Sequence, residues 1–314
     1  KNHIIRTPNN PDIIYDDDPL RILRCIRFAS RYGWDIEPKT YEGMVRNVSR
    51  LEIITKERVQ DEFSKMLTCK HPVMAMELLR KTGAMHYVIP ELEETYSMTQ
   101  NEYHFGTVWE HTMMVLEGTK DDNMILRISA LLHDIGKIRV CTEEDGKIHF
   151  LKHELKSGEM IDELLRPLKF SNEIIKEVTF LVRNHMICKT WGSECEYMKD
   201  KKLRRLQYEC KTEERFRNLM TIIDADNNAY AADKCMPKQV EFILSRTEAM
   251  KAEGSAMFGY KLPLTGKEIM DLKGIKPGSA VKECLDYLMK IAFVNPLRKK
   301  EEFVKHLLGY RLQK

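Results

Sequence analysis

Apolar residues recur at helical spacing along most of the chain, with capping residues before many of these stretches and glycine or proline after them. Residues 1–17 are polar and predict a loop. Asp18-Pro19 then predicts a helix start, because aspartate caps free N–H groups and proline fits the first helical position. This helix should run to about Arg31 and end near Gly33. Further helices are predicted at 39–48, 55–67, 71–88, 108–117, 123–135, 152–166, 171–184, 199–209 and 212–231.

A single strand signal interrupts the helical pattern. Residues 138–140 and 148–150 flank Glu144-Asp145-Gly146, which indicates a small hairpin. The last third of the chain is again helical. The pattern therefore predicts an all-α, multi-helical fold with one small β-hairpin and with domain boundaries near 70–95 and 235–262.

Composition narrows the class of protein. Hydrophobic residues make up 43% and charged residues 32% of the 314 residues, which favours a folded chain over disorder. No apolar run approaches the length of a membrane span, and no signal segment is visible at the start. The eight cysteines form no C-x-x-C pair, so a zinc ribbon is not expected and a reducing cytoplasm is favoured. The net charge of +3 is too small to argue for nucleic acid by itself.

The most specific chemical signal is a histidine–aspartate pair at the end of an apolar helix. His133-Asp134 follows Ala130-Leu131-Leu132 and precedes Ile135-Gly136-Lys137. His111 lies on an earlier predicted helix, and Asp226 lies far downstream. Imidazole and carboxylate ligands together suit a divalent metal that activates water for hydrolysis. We therefore expect a metal site on these residues.

Each of these residues also has an ordinary structural explanation. A lone histidine is more often a hydrogen-bonded core or surface residue than a ligand. Lys137 could contact a phosphate or could be a solvated lysine. Asp224 competes with Asp226 for the last position of the set.

The set as a whole resembles the metal ligands of the HD phosphohydrolase superfamily over residues 95–235. The resemblance implies that His111, His133, Asp134 and Asp226 are ligands, and that His133, Asp134 and Lys137 take part in catalysis. His153 and His185 stand where two-metal members of the superfamily place additional ligands. His153 could instead hydrogen-bond a ligand carboxylate, and His185 could be favoured at a helix end by electrostatics.

A stripe of arginines marks the first predicted helix. Arg21, Arg24, Arg27 and Arg31 recur at intervals of three or four residues and share one flank. Guanidinium groups suit phosphates and base edges, although a solvated charged face is the ordinary explanation. The three aspartates at 16–18 could simply serve as a cap and as partners of the helix dipole.

A family resemblance favours nucleotide binding over a solvated charged face for this helix. Ile5-Arg6-Thr7-Pro8, Asp17-Asp18-Pro19-Leu20-Arg21 and Ile26-Arg27-Phe28-Ala29 resemble the neck of class II CCA-adding enzymes and bacterial poly(A) polymerases. The resemblance implies that Asp18 and Arg21 read the Watson–Crick edge of CTP or ATP, with Arg24 and Arg27 beside them. Residues 57–67 resemble a second segment of that family, which is involved in neck positioning.

The resemblance stops at the family's polymerising palm. That palm needs a Gly-Ser turn and an Asp-x-Asp pair that holds two Mg²⁺ ions. Gly192-Ser193 lies in an irregular stretch, and the Asp-x-Asp that follows it, at 224–226, belongs to the metal set. We therefore expect the palm to have been removed or to lie on another chain, and we expect no nucleotidyl transfer by these 314 residues alone.

The last third resembles the family's tRNA-binding tail. Glycines near Lys273 and Lys276 could expose N–H groups to a phosphate or could form a plain turn between helices. Arg298, Lys299 and Lys300 open a basic stretch that would suit the tRNA backbone or be merely solvated.

These resemblances imply three domains. Residues 1–70 would be a neck with nucleotide-templating and RNA-binding helices, 71–235 an HD metal-binding domain and 236–314 a helical tRNA-binding tail. The expected function is that of the C-terminal part of a tRNA nucleotidyltransferase that adds CCA or A to tRNA. The alternatives are a stand-alone HD phosphodiesterase or phosphatase, and a non-enzymatic RNA-binding module with a structural metal.

The expected cofactors and partners follow from the same resemblances. A divalent ion (Mg, Mn, Ni or Fe) is expected in the HD site, and Mg with the palm. ATP and CTP are the expected substrates, and tRNA is the expected macromolecular partner. We expect a cytoplasmic protein that does not engage a membrane, of undetermined oligomeric state.

Overall fold

The computed structural model describes residues 3–100, 106–120, 122–230 and 234–312. Helices dominate this part of the chain. The sixteen α-helices in these ranges are α1 Pro11–Asp17, α2 Leu20–Tyr32, α3 Pro38–Asn47, α4 Lys56–Leu67, α5 Pro72–Thr82, α6 Val108–Gly118, α7 Met124–Leu132, α8 Lys137–Val140, α9 His153–Leu165, α10 Asn172–Asn184, α11 Asp200–Cys210, α12 Glu213–Asn228, α13 Gln239–Ala252, α14 Gly266–Lys273, α15 Ser279–Val294 and α16 Lys300–Gly309.

Short 3-10 helices and four short strands complete the architecture of the described residues. The predicted all-α class with one small hairpin is confirmed. Within the described ranges, every helix is too short or too polar to cross a lipid bilayer. The 3-10 helices are Val48–Ile53, Ala84–Tyr87, Pro90–Thr95 and Lys189–Trp191, and the strands are β1 Ile4–Ile5, β2 Asp35–Ile36, β3 Thr142–Glu144 and β4 Lys147–His149.

The chain forms two compact units. The first contains Lys1–Cys188 and Thr221–Met236, and the second contains Lys189–Met220 and Pro237–Lys314. The division into three domains at residues 70 and 235 stays a prediction.

Residues 3–17 are not the loop that their polar composition predicts. β1 pairs in parallel with β2, with Ile4 opposite Asp35. α1 begins at Pro11, and the Asn10 side chain caps it by accepting the Asp12 N–H at 3.0 Å. The loop prediction was wrong because two-residue strands leave no periodic signal and because α1 buries only Ile14 and Tyr15.

The arginine helix begins at Leu20, one residue after the predicted Pro19, and ends at Gly33 as predicted. Asp18 Oδ1 accepts the Leu20 N–H at 3.3 Å at the start of α2. The helix stops at Gly33, whose φ of +66° lies in the left-handed region that glycine adopts without a Cβ penalty. Ile22, Leu23 and the other apolar residues of α2 are buried, so its arginine flank faces outward at Arg21 and Arg24.

The hairpin exists, but its strands lie closer to the turn than predicted. The turn residues Asp145 and Gly146 both have positive φ, at +51° and +72°, which matches a two-residue hairpin turn. The strands pair antiparallel from the turn outward, and their outermost pair is Thr142 opposite His149. The predicted first strand, 138–140, is instead helical in α8, because the turn after Asp134 continues through a bond from the Lys137 N–H to the Asp134 carbonyl.

The second unit packs around its own apolar core. Its buried members include Met257, Leu264, Leu288 and Phe303. Arg204 on α11 is also buried, and its guanidinium donates to the carbonyls of Ser255, Phe293 and Val294. Carbonyls at helix ends lack intrahelical partners, so Arg204 completes the end of α15 rather than adding to a basic surface.

Candidate metal centre

Five helical segments of the first unit bring the predicted metal ligands together. His111 lies on α6, one turn after the Thr107–Glu110 capping box that fixes the helix start. His133 and Asp134 directly follow α7, whose residues from 126 onward are all buried. The other ligands lie at element ends, with His153 opening α9, His185 following α10 and Asp226 near the end of α12.

The ligand side chains form two overlapping groups around the two aspartates. His111 Nε2 lies 3.1 Å from Asp226 Oδ1, and His133 Nε2 lies 3.3 Å from Asp134 Oδ2. His153 Nε2 lies 3.1 Å and His185 Nε2 3.7 Å from Asp134 Oδ1. Asp134 therefore offers one carboxylate oxygen to each group.

Backbone carbonyls orient all four imidazole rings. Each ring places Nδ1 within hydrogen-bonding distance of a carbonyl oxygen, which accepts and cannot donate, so Nδ1 bears the proton. Each Nε2 then carries the lone pair, which is the form in which an imidazole binds a metal ion. The pairs are His111 with Ala229 at 3.2 Å, His133 with Ala130 at 2.8 Å, His153 with Phe150 at 2.9 Å and His185 with Val182 at 2.7 Å.

Imidazole nitrogens approach one another inside the centre. The Nε2 atoms of His111 and His133 are 3.3 Å apart, and those of His153 and His185 are 3.4 Å apart. Two lone pairs at this distance repel unless a proton or a cation lies between them. His111, His133 and Asp226 form one group whose ligand atoms all lie within 4.8 Å of one another, and His133, Asp134 and His185 form another. The donor set therefore fits divalent metal ions.

Electrostatics favour the ligating forms of two of these side chains. Burial raises the pKa of Asp134, but His133, Lys137 and His153 together lower it well below its ordinary value. Burial and the neighbouring His133 and His153 lower the pKa of His185 to about 3. For His133, burial lowers the pKa, but the two aspartates raise it by more, so the net shift is upward. Asp134 is thus anionic and His185 neutral at physiological pH.

Lys137 points into the same centre. Its Nζ lies 2.6 Å from Asp134 Oδ2 and donates to Gln100 Oε1 at 2.7 Å, and the side chain is only 2% exposed. Gln100 Nε2 in turn donates to the Thr107 carbonyl at 3.1 Å, at the start of α6. A solvated lysine is therefore excluded. No sequence pattern singles out Gln100; only its position shortly before a ligand-bearing helix could have drawn attention to it.

The predicted nucleotide-binding residues lie just before α2 and along its first half but differ in environment. Arg21 and Arg24 are exposed. The Asp18 carboxylate accepts from Arg58 on α4 at 3.3 Å in addition to the Leu20 N–H. Arg27 is nearly buried and pairs with Glu62 at 2.6 Å. Sequence reasoning missed the Arg58 contact, although it placed Arg58 in a segment that resembles a neck-positioning motif.

The predicted RNA-binding residues of the second unit fall into two groups. Lys273 donates to the Tyr310 carbonyl at 2.9 Å, Arg298 pairs with Glu302 at 3.2 Å, and Lys300 pairs closely with Glu268. Lys276 and Lys299 are exposed. These last two are the most available cations of the predicted set.

Comparison with known families matches this geometry. Residues 101–227 match the HD domain, and residues 33–95 match the family described as the probable RNA and SrmB-binding site of polymerase A. The first match spans the segments that supply all six ligands. All six of these predicted ligands belong to the first compact unit.

Comparison with whole proteins extends over most of the chain. This chain is similar to the A-adding tRNA nucleotidyltransferase of Deinococcus radiodurans, at 28% identity over 85% of this chain and 62% of that protein. It is similar to the CC-adding tRNA nucleotidyltransferase of Thermus thermophilus, at 25% identity over 97% of this chain and 69% of that protein. The chain thus spans about two thirds of the length of these relatives.

A solved structure shows the same fold. The CCA-adding enzyme of Bacillus stearothermophilus, determined in complex with CTP, superposes with a TM-score of 0.60 at 20% identity, over 98% of this chain and 65% of that chain. Together the matches define the chain as a homologue of the tRNA nucleotidyltransferases, corresponding to their C-terminal part.

Proposed function

We propose that these residues are the neck, body and tail of a tRNA nucleotidyltransferase that adds CCA or A to tRNA 3′ ends. The supporting observation is the extent of the similarity to A-adding and CC-adding enzymes, which reaches 97% of this chain. The joining of nucleotides requires palm carboxylates that hold Mg²⁺, and these residues do not supply them. Their part is to bind tRNA and to select CTP or ATP.

Nucleotide selection would take place at the start of α2. Asp18 accepts hydrogen bonds from the Leu20 N–H and from Arg58, which fix the carboxylate but leave acceptor sites on its oxygens. An exocyclic amine of cytosine or adenine would donate to Asp18, while Arg21 would donate to ring acceptors. Arg24 lies on the same exposed flank and suits the phosphates.

Binding of tRNA would involve the exposed cations of the second unit. Lys276 and Lys299 are exposed, whereas Lys273, Arg298 and Lys300 have protein partners that phosphate would have to displace. Phosphate contacts release counterions, so binding should weaken steeply as salt rises.

The test is fluorescence anisotropy of the 314-residue protein with labelled tRNA that lacks its CCA end, at two salt concentrations. Charge reversal by Lys299→Glu should weaken binding and reduce the salt slope by roughly 0.9. Lys176→Glu, at an exposed position of α10, is the matched control and should change neither. Absence of binding at both salt concentrations would refute the proposed tRNA-binding role.

The HD centre supports a second activity, the metal-dependent hydrolysis of phosphate esters or cyclic nucleotides. The specific observation is the convergence of four oriented Nε2 atoms on two buried carboxylates. A divalent ion, Mg, Mn, Ni or Fe, supplies Lewis acidity and activates water when bound. Asp134 holds the two ligand groups together, and Lys137 is placed to donate to a phosphoryl oxygen.

Burial of the centre raises the alternative of a purely structural metal. The side chains of His111, His133 and Asp134 are at most 3% exposed. A structural ion would be retained without turnover, whereas a catalytic ion would support hydrolysis. The two roles therefore differ in whether the protein with bound metal hydrolyses a substrate.

The distinguishing experiment measures bound metal by mass spectrometry and hydrolysis of bis-p-nitrophenyl phosphate and of 2′,3′-cyclic AMP with Mg, Mn, Ni or Fe. His133→Ala should abolish hydrolysis and lower metal content. His149→Ala, on β4 and outside the centre, is the control and should retain both. Bound metal without turnover of either substrate would favour the structural role.

A further inference from the structure

Ser157 connects the His-Asp turn to α9. It lies one helical turn after His153 and is fully buried. Its Oγ accepts the backbone N–H of Gly136 at 2.8 Å. Gly136 follows Asp134 by two residues, so one hydrogen bond joins the segment of Asp134 to the helix of His153.

The backbones at this contact are as close as glycine allows. A Cβ on Gly136 would lie 2.4 Å from the Ser157 nitrogen and 2.5 Å from the His153 carbonyl oxygen. Backbone atoms cannot yield as a flexible side chain can. The spacing between the His-Asp turn and the first turn of α9 is therefore set here.

The next residue of α9, Gly158, approaches α10 closely. A Cβ on Gly158 would overlap the Arg183 side chain, at 2.0 Å from its Cγ. Arg183 lies near the end of α10, two residues before His185. The Ser157–Gly158 segment thus lies against both of the elements that meet His153 around Asp134 Oδ1.

The other ligand group shares the His133-Asp134 turn but takes its remaining members from different elements. His111 and Asp226 come from α6 and α12, and their Nε2–Oδ1 distance of 3.1 Å involves no atom of α9. A change at Ser157 should therefore act on one ligand group more than on the other.

We propose that Ser157 is a positioning residue that sets the geometry of the Asp134–His153–His185 group and thereby the binding of a second divalent ion beside the first. The inference rests on the proposed HD metal centre. Ser157→Ala would leave the buried Gly136 N–H without its acceptor, and the turn would shift to recover a partner. Loss of a hydrogen bond behind metal ligands typically weakens metal binding about 10–100-fold.

The test is calorimetric titration of the chelator-treated 314-residue protein with MnCl2. The wild type should show two classes of site. Ser157→Ala should weaken one class about tenfold or more and the other class distinctly less. Ser157→Cys keeps the volume but offers only a weak acceptor, so it should resemble Ser157→Ala and separate the hydrogen bond from packing.

Ser129→Ala is the matched control. Ser129 is buried on α7, and its hydroxyl has no hydrogen-bond partner among the described residues. This variant should bind Mn²⁺ as the wild type does, and thermal melts of all variants establish that they fold.

The outcomes separate this inference from the proposed function. A single class of site in the wild type, or two classes that Ser157→Ala weakens equally or not at all, would overturn the role of Ser157 but leave an HD metal centre. A wild type that binds no Mn²⁺ would overturn the metal centre and the inference together.

Discussion

Arg27 on α2 donates from Nε to Glu62 Oε2 on α4 at 2.6 Å, with both side chains nearly buried. The guanidinium also lies over the Phe28 ring, 4.2 Å from its centroid. This ion pair connects α2, which begins just after Asp18, with α4, which carries Arg58. Arg27 therefore differs from the exposed Arg21 and Arg24, with which its sequence spacing groups it.

We expect Glu62→Ala to destabilise the protein by about 1–3 kcal/mol, because it leaves a nearly buried guanidinium without its partner. Glu57→Ala, at an exposed position of the same helix, should cost less than about 1 kcal/mol. Urea unfolding of the two variants measures the difference. Equal stability of the two would show that the buried pair contributes nothing beyond a surface charge.

Gln100 accepts a hydrogen bond from Lys137 and so orients its ammonium group at the predicted metal centre. Gln100→Leu removes the 2.7 Å acceptor of Lys137 Nζ, so the ammonium should become less well positioned for a phosphoryl oxygen. Hydrolysis of bis-p-nitrophenyl phosphate should fall roughly tenfold with metal content unchanged. Gln60→Leu, on α4, is the control for a loss of glutamine elsewhere. A fall in metal content equal to the fall in rate would instead assign Gln100 to metal retention.

The sequence predicts those features of this protein that depend on local chemistry. The helices follow from apolar periodicity, and the hairpin turn follows from Asp145-Gly146. The ligand set follows from the His133-Asp134 pair and its family resemblance, and the structure brings all six predicted ligands together. Apolar periodicity and residue spacing are properties of short segments, so a single amino-acid sequence is enough to detect them.

Features that depend on distant contacts escaped prediction. β1 needs β2, thirty residues further on, before either strand exists. Gln100 and Ser157 are ordinary polar residues whose roles come from the segments that they touch. The same holds for Arg204, which lies in the basic stretch 199–205 of the sequence but donates to three carbonyls in the interior.

Lys300 is close to Glu268 and is therefore only partly available to phosphate. Glu268→Gln should free Lys300 and strengthen tRNA binding, and it should raise the salt slope by up to about 0.9. Glu301→Gln removes the same charge from an exposed position next to Lys300 and serves as the control. Anisotropy at several salt concentrations tests this; an equal gain in both variants would mean that only net charge matters.

Arg246 makes the stability of the second unit depend on pH. It donates to Asp200 at 2.7 Å and to Glu253 at 2.8 Å, and these hydrogen bonds lower the pKa of both carboxyl groups. Because both values are lower in the folded than in the unfolded protein, the pairing stabilises the fold at neutral pH. This stabilisation is lost as the pH falls below about 4 and through the folded values.

We therefore expect the thermal midpoint of Arg246→Met to lie below that of the wild type at pH 7 and to approach it at pH 3. The reason is that protonated carboxyl groups no longer distinguish a paired from an unpaired state. Lys202→Met, at an exposed position of α11, removes a cation without touching Asp200 or Glu253 and should keep the pH dependence of the wild type. Melting curves at pH 7, 5 and 3 give the comparison. A constant offset between Arg246→Met and the wild type at all three pH values would assign the effect of Arg246 to packing of its side chain rather than to its charge.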